Sequence, residues 1–319
     1  MNILVTGAAG FIGSHLCEKL LVDGNTVVGF DNFDPFYKRT IKENNLKISI
    51  SKGSFNLVEG DIRDTESVKK LFNEHTFEVV VHLAAKAGVR PSIKDPIVYY
   101  KVNVLGTLNI LEMMKKNDIK RLVFASSSSV YGDSPDVPYN ETMNVNNPIS
   151  PYAATKIAAE ILCYNYRHLY NISATCLRFF TVYGPRQRPE MAIAKFVKKA
   201  YEGDLISIYG DGSSLRDFTY IEDIIQGVVA SIDRDLGFEI INIGESETID
   251  LNSLLELIKE LTGCGLKTEH LPMQPGDVIK TFANIDKAKQ LLGYAPVTSV
   301  REGLKKYISW LRNNSEVRS

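Results

Sequence analysis

The chain has 319 residues, and 44% of them are hydrophobic and 24% charged. That balance excludes a disordered, collagen-like or coiled-coil chain, and the length suits about two domains. With 37 Lys and Arg against 38 Asp and Glu, the net charge of -1 offers no basic excess for nucleic acid. In chain order, apolar runs at residues 3–5, 26–30, 55–58, 79–83, 122–125 and 174–179 alternate with helical patterns at 12–22, 40–50, 67–74, 98–116 and 152–170. Most of the runs are continuous, as strands covered on both faces require. The alternation predicts an α/β fold, a Rossmann-type doubly wound parallel sheet with right-handed crossovers. After about residue 180 the chain becomes rich in turns at 183–189, 209–212 and 272–277, with helical patterns at 254–261 and 285–292. We therefore expect a sheet domain over 1–180, to which some later segments return. A smaller α/β lobe over 181–319 would close a cleft against it, and the polar tail 313–319 is predicted to fray.

Cys17, Cys163, Cys176 and Cys264 are too dispersed for a metal spacing or a disulfide framework, and read as reduced packing residues. No apolar run is long enough for a membrane span, and the first residues read as a strand with no basic segment before it. The expectation is a cytoplasmic protein with no membrane and no nucleic-acid partner.

The first predicted strand runs into Gly7-Ala8-Ala9-Gly10-Phe11-Ile12-Gly13 and then a helix. Strand, glycine turn and helix are the elements of a dinucleotide site. Gly7 permits the tight exit, Gly10 the close approach of a pyrophosphate, and Gly13 close packing of helix on sheet. The helix start offers N–H groups and a positive dipole end to phosphate. Asp31-Asn32 ends the second strand, with Asp31 lying 18 residues beyond Gly13. A carboxylate there accepts from both adenosine ribose hydroxyls and repels a 2′-phosphate, so NAD is expected over NADP. Asp61-Ile62, after the third strand, reads equally as an adenine contact or as a helix cap.

Tyr152 and Lys156 stand four residues apart in a helical pattern and so share a face. A phenol is a weak base at neutral pH, and a neighbouring ammonium is expected to lower its pKa. Lys156 is also placed to hold the nicotinamide ribose. Four serines, 126–129, follow the fifth strand, where ligands bind in such sheets. Ser127 is the one chosen to share the substrate oxygen with Tyr152.

With these residues in place, the chain resembles the extended short-chain dehydrogenase/reductase family, and within it the nucleotide-sugar epimerases. The resemblance rests on Gly7/Gly10/Gly13, Asp31-Asn32, His82-Leu83-Ala84-Ala85, Asn103 through Thr107, Ser127 before Val130-Tyr131-Gly132, Tyr152/Lys156 and Arg216-Asp217-Phe218. It implies NAD contacts from Leu83, Ala84, Ala85 and Asn103, beside those of Phe11, Ile12, Asn32, Asp61 and Ile62. Decarboxylases and dehydratases of the family carry an acid where Ser129 stands, and dehydratases another at Ser128. Hydroxyls at both positions imply epimerisation. The loop from Arg178 through Ala192 is similar to that of UDP-glucuronate 4-epimerases, with Glu190 in place of the usual Asp. It implies a UDP-sugar substrate held by Ser127, Ser128, Tyr152, Thr181, Arg188, Tyr209, Arg216 and Asp277. In that alignment Arg188, rather than Arg186, meets the uronate carboxylate, and Arg216 the diphosphate, unless Arg216 pairs with Asp217. Galactose-specific members often have Arg where Gln274 stands, which leaves one diphosphate contact unassigned. The resemblance also implies a homodimer through helices 98–116 and 152–170. Epimerisation of UDP-glucose or UDP-N-acetylglucosamine, decarboxylation, and a non-catalytic NAD-binding relative are the competing readings.

Overall fold

The computed structural model describes residues 1–274 and 276–314, so the expectation of a frayed tail falls, for 315–319, outside them. The six expected strands form as β1 Asn2–Thr6, β2 Thr26–Asp31, β3 Phe55–Glu59, β4 Val79–His82, β5 Arg121–Ser127 and β6 Ser173–Phe179. A seventh, Phe238–Ile243, pairs with β6, giving the order Phe238–Ile243, β6, β5, β4, β1, β2, β3. Every pairing is parallel. The order reverses between β1 and β4, the switch point where ligands of such sheets bind.

Successive residues of each strand enter different cores, as the pleat dictates. Ile3, Val5, Val79 and Val81 pack on one face with Leu16 and Leu20 of helix Phe11–Val22 and with Ile224 and Val228 of helix Ile221–Ile232. Leu4, Val80 and Phe124 pack on the other with helices Thr65–Glu74, Gly106–Lys116 and Pro151–Tyr170. Each fully buried aliphatic side chain contributes about 1.5–3 kcal/mol.

The expected helix 98–116 is interrupted. Asp95 accepts from Val98 N–H at 3.3 Å to start a short helix Pro96–Tyr100, a wide π-type turn follows at Lys101–Leu105, and helix Gly106–Lys116 continues. The wide turn carries Asn103 inward. Gly106 allows close approach to Ile62, since a Cβ there would lie 2.6 Å from Ile62 Cδ1. The later segments build small pieces over the sheet's C-terminal edge: Thr181–Tyr183 beside Phe218–Tyr220, and Leu205–Tyr209 beside Lys267–Leu271. Buried Asp217 ties them to the sheet. Its carboxylate accepts from the N–H groups of Glu245, Ser246 and Ala283 and from Thr219 Oγ1, and burial raises its pKa to about 6. Among the described residues no helix is long and apolar enough to cross a membrane, and no group of His, Cys, Asp and Glu could hold a metal.

Candidate active site

A cavity of about 360 Å³ runs along the C-terminal ends of β1, β2, β4 and β5. At one end it is lined by Gly7, Gly10, Phe11, Ile12, Gly13, Asp31 and Asn32, and at the other by Ser127, Ser128, Tyr152, Thr181 and Arg188. Asp61, Ile62, Leu83, Ala84, Ala85 and Lys156 complete the wall between them.

Gly7 adopts φ +71°, and its N–H donates to Phe30 O at 2.8 Å, so β1 turns sharply beside β2. Gly13 differs from expectation. A Cβ there would lie 2.1 Å from Gly7 O and 2.9 Å from Ala8 Cα, so its smallness lets the helix close on the turn itself rather than on the sheet. Gly10 caps helix Phe11–Val22 without a side-chain bond, and the first turn holds no acid. The helix's N–H groups are thus left to an incoming anion. Asp31 Oδ2 accepts from Ala9 N–H at 3.0 Å and Oδ1 from Phe33 N–H at 2.8 Å, which ties the acid to the glycine turn. Burial raises its pKa, while Lys42 opposes the shift. An uncapped helix start, a cradle that a Cβ would fill and a carboxylate at the second strand end fit a dinucleotide.

Asp61 is not a helix cap; Asp64 takes that place, accepting from Glu66 N–H at 3.1 Å. Asp61 accepts from Arg63 Nε at 3.0 Å and Nη2 at 2.6 Å and from Asn32 Nδ2 at 2.9 Å, and these bonds, with Arg63's leading, pull its pKa down to about 2. Asn103 departs from its expected role and does not line the cavity. Its Oδ1 accepts from Lys86 N–H at 2.8 Å, and its Nδ2 donates to Lys86 O at 2.9 Å and Thr155 Oγ1 at 3.0 Å. It braces the loop after β4 from behind. His82, expected only as part of a strand end, bridges Thr6 Oγ1 at 2.7 Å and Thr107 Oγ1 at 3.1 Å, and burial holds it neutral with a pKa of about 3.

Tyr152 and Lys156 share one face of helix Pro151–Tyr170, begun by Ser150 accepting from Ala153 N–H at 3.1 Å. The Tyr152 ring meets Tyr99 edge-on at 6.2 Å. Burial raises the phenol's pKa, while neighbouring Ser127 and the charge of Arg188 oppose the shift. Lys156 does not act on it as expected. Its Nζ lies 6.0 Å from the Tyr152 ring centre and donates to Ala125 O at 2.6 Å, and burial lowers its own pKa to about 8.

The two loop arginines part company. Arg186, at φ +63°, points Nη2 at Glu18 of the first helix at 2.8 Å, while Arg188 lines the cavity. Arg216 makes no pair with Asp217. It donates to Val278 O at 2.6 Å and Ile279 O at 3.1 Å, outside the cavity wall. Tyr209 and Asp277 gather with it around a residue the sequence reading missed, Arg90. The Arg90 guanidinium lies 4.4 Å over the Tyr209 ring and donates to Asp277 at 2.6 and 3.2 Å. Nothing in the spacing pairs residue 90 with residue 277. Lys42, also missed, had a local signal. It shares helix Arg39–Ile50 with buried Asn45, Leu46 and Ser49, at the spacing of one inward face.

A doubly wound sheet, a dinucleotide cradle at the switch point and a Tyr–Lys–Ser set beside it define a nicotinamide-dependent enzyme. Residues 3–244 match the NAD dependent epimerase/dehydratase family, and the chain belongs to that family. It is 45% identical over 316 residues to the UDP-glucuronate 4-epimerase of Thermodesulfobacterium geofontis, covering 98% of this chain and 97% of the relative. It superposes with a TM-score of 0.92 on UDP-glucuronic acid 4-epimerase from Bacillus cereus in complex with UDP-glucuronic acid and NAD, at 38% identity over 98% of this chain and 99% of that one. The UDP-glucose 4-epimerase of Thermotoga maritima gives a TM-score of 0.91 at 35% identity, covering 99% and 100% of the two chains.

Proposed function

We propose that this protein interconverts UDP-glucuronate and UDP-galacturonate by NAD-dependent inversion at C4 in the cytoplasm. The observation that carries the uronate assignment is Arg188, a guanidinium on the same cavity as Ser127, Tyr152 and Thr181, while Arg186 is engaged by Glu18. Arginine's planar fork suits a carboxylate. The relatives named for UDP-glucuronate support the same substrate. Four free cysteines fit a reducing compartment.

Bound NAD supplies the acceptor and later the donor of the C4 hydride. Tyr152 Oη, as the phenolate that the positive charges of Lys156 and of bound NAD⁺ would favour, takes the proton of the C4 hydroxyl and returns it to the inverted oxygen. Ser127 Oγ, on the same cavity wall as Tyr152, steadies that oxygen. Lys156 Nζ, at the inner wall, holds the cofactor ribose. Arg216 anchors the diphosphate, and Arg90 serves as the second contact that Gln274 does not supply. The nucleotide stays fixed while the 4-keto sugar turns to present its other face. That sugar is a β-keto acid, which loses CO₂ when the C5–carboxylate bond lines up with the C4 carbonyl π system. Arg188 and Thr181 hold the carboxylate out of that alignment.

Incubating the purified protein with UDP-glucuronate and no added NAD is expected to yield UDP-galacturonate without CO₂. Arg188→Ala is expected to cost about 10–100-fold in kcat/KM for UDP-glucuronate, the value of a hydrogen-bonded charge. A pentose product, or faster turnover of UDP-glucose, would replace the assignment. The second reading, UDP-glucose epimerisation, draws on the likeness to the Thermotoga enzyme.

The reading includes a homodimer. Ile97, Tyr100 and Leu105 on the segment before helix Gly106–Lys116, and Ile161 on helix Pro151–Tyr170, are exposed apolar side chains on neighbouring elements. Such a cluster suits a two-fold interface. Sedimentation is expected to give twice the 35.6 kDa chain mass, and Ile97→Lys with Ile161→Lys to give a monomer.

A further inference from the structure

The turn that carries Arg188 also carries its neighbour Glu190. Met191 N–H donates to Arg188 O at 3.1 Å, and Pro189 fixes the backbone between them. The tight turn throws the two side chains together, with Arg188 Nε 3.1 Å from Glu190 Oε1. Both carboxylate oxygens of Glu190 are shielded from solvent, and among the described residues neither has a hydrogen-bond partner. Arg188 is therefore the compensation for a shielded negative charge, which makes the pair costly to part. A guanidinium has five N–H donors, one on Nε and four on the two terminal nitrogens. Glu190 lies against Nε as an ion pair, so the four terminal donors are not turned to it and are left for the cavity that Arg188 lines. The charge there reaches Tyr152, Tyr99 and Tyr37.

We propose that Glu190 is the positioning residue for substrate specificity: its carboxylate, ion-paired beside Arg188 Nε, holds the arginine against the turn and so presents the terminal nitrogens to the sugar carboxylate. The proposal rests on the assignment of Arg188 to that carboxylate. Glu190 touches neither sugar nor cofactor and acts only through the arginine. Its extra methylene over Asp sets how far into the cavity the guanidinium is held.

The test compares Glu190→Gln, Glu190→Asp and Arg188→Ala, reading KM for UDP-glucuronate beside the inhibition constant of UDP, which has no carboxylated sugar. Glu190→Gln is expected to raise KM about fivefold through a misplaced clamp and to leave UDP inhibition unchanged. Glu190→Asp, which keeps the charge and guards against a folding failure of the amide, is expected to fall between Gln and the parent. If Arg188→Ala selectively weakens UDP-glucuronate while both Glu190 variants keep the parent KM, the inference is overturned and the clamp stands. The same holds if Glu190→Gln lowers KM, or weakens UDP equally. If Arg188→Ala itself changes nothing, the clamp reading fails and the inference with it.

Discussion

Tyr152→Phe is expected to lower kcat about 10²–10⁴-fold, the usual contribution of a placed acid–base group. Little else should change. The ring keeps its edge contact with Tyr99 at 6.2 Å, and the backbone N–H keeps its bond to Ser92 Oγ at 3.1 Å. UDP affinity and the unfolding midpoint should match the parent, which separates a chemical loss from a structural one. The structure adds a second expectation, for protein stripped of NAD, because burial raises the phenol's pKa and Lys156 Nζ donates to Ala125 O. A raised pKa means that the proton stays on above the ordinary tyrosine range. The difference spectrum between parent and Tyr152→Phe should therefore show no tyrosinate absorbance below about pH 10. Tyrosinate appearing near neutrality would mean that the protein ionises Tyr152 before NAD binds.

The contrast between Tyr152 and Lys156 shows what sequence can and cannot carry. A four-residue spacing on a helix specifies a shared face, and the face is as expected. It does not specify where a flexible lysine spends its ammonium, which a carbonyl of β5 decides. The central sheet was legible because β1, β4 and β5 are buried on both faces and so read as unbroken apolar runs. The seventh strand, Phe238–Ile243, lies at the sheet edge, where its first three residues are only partly buried. Its Glu239 and Asn242 break the run that would have marked it. Asn103 was legible as a motif residue but not as a brace, because a π-type turn rotates it toward Lys86. The cluster of Arg90, Tyr209 and Asp277 joins three segments distant in sequence, and no local periodicity reports such a meeting. Lys42 is the intermediate case, a charged residue at an inward helical position whose charge acts on Asp31 of the neighbouring strand.

Beside Ser126 lies the second large effect. Glu160 continues the face of Tyr152 and Lys156 one turn further, and its carboxylate accepts from Arg178 Nε at 2.9 Å and Nη2 at 2.8 Å and from Ser126 Oγ at 2.5 Å. Arg178 is 2% exposed and Glu160 4%, so neither charge can turn to water. Glu160→Ala is expected to cost about 3–5 kcal/mol of stability, because it strands a buried guanidinium. Urea denaturation measures it. Breaking the pair is not the same as replacing it: a double change to Met at 160 and 178 removes both charges, and should recover most of the loss if the unpaired charge is its cause. Equal destabilisation of the single and double variants would instead assign the loss to packing around Tyr131, over whose ring the Arg178 guanidinium lies at 4.8 Å. The double variant also isolates a cost to function. Glu160 supports the charge on Lys156 against burial, and Ser126 precedes Ser127 in β5. A double variant that regains stability but not turnover would show that the pair also orders the catalytic edge of the sheet.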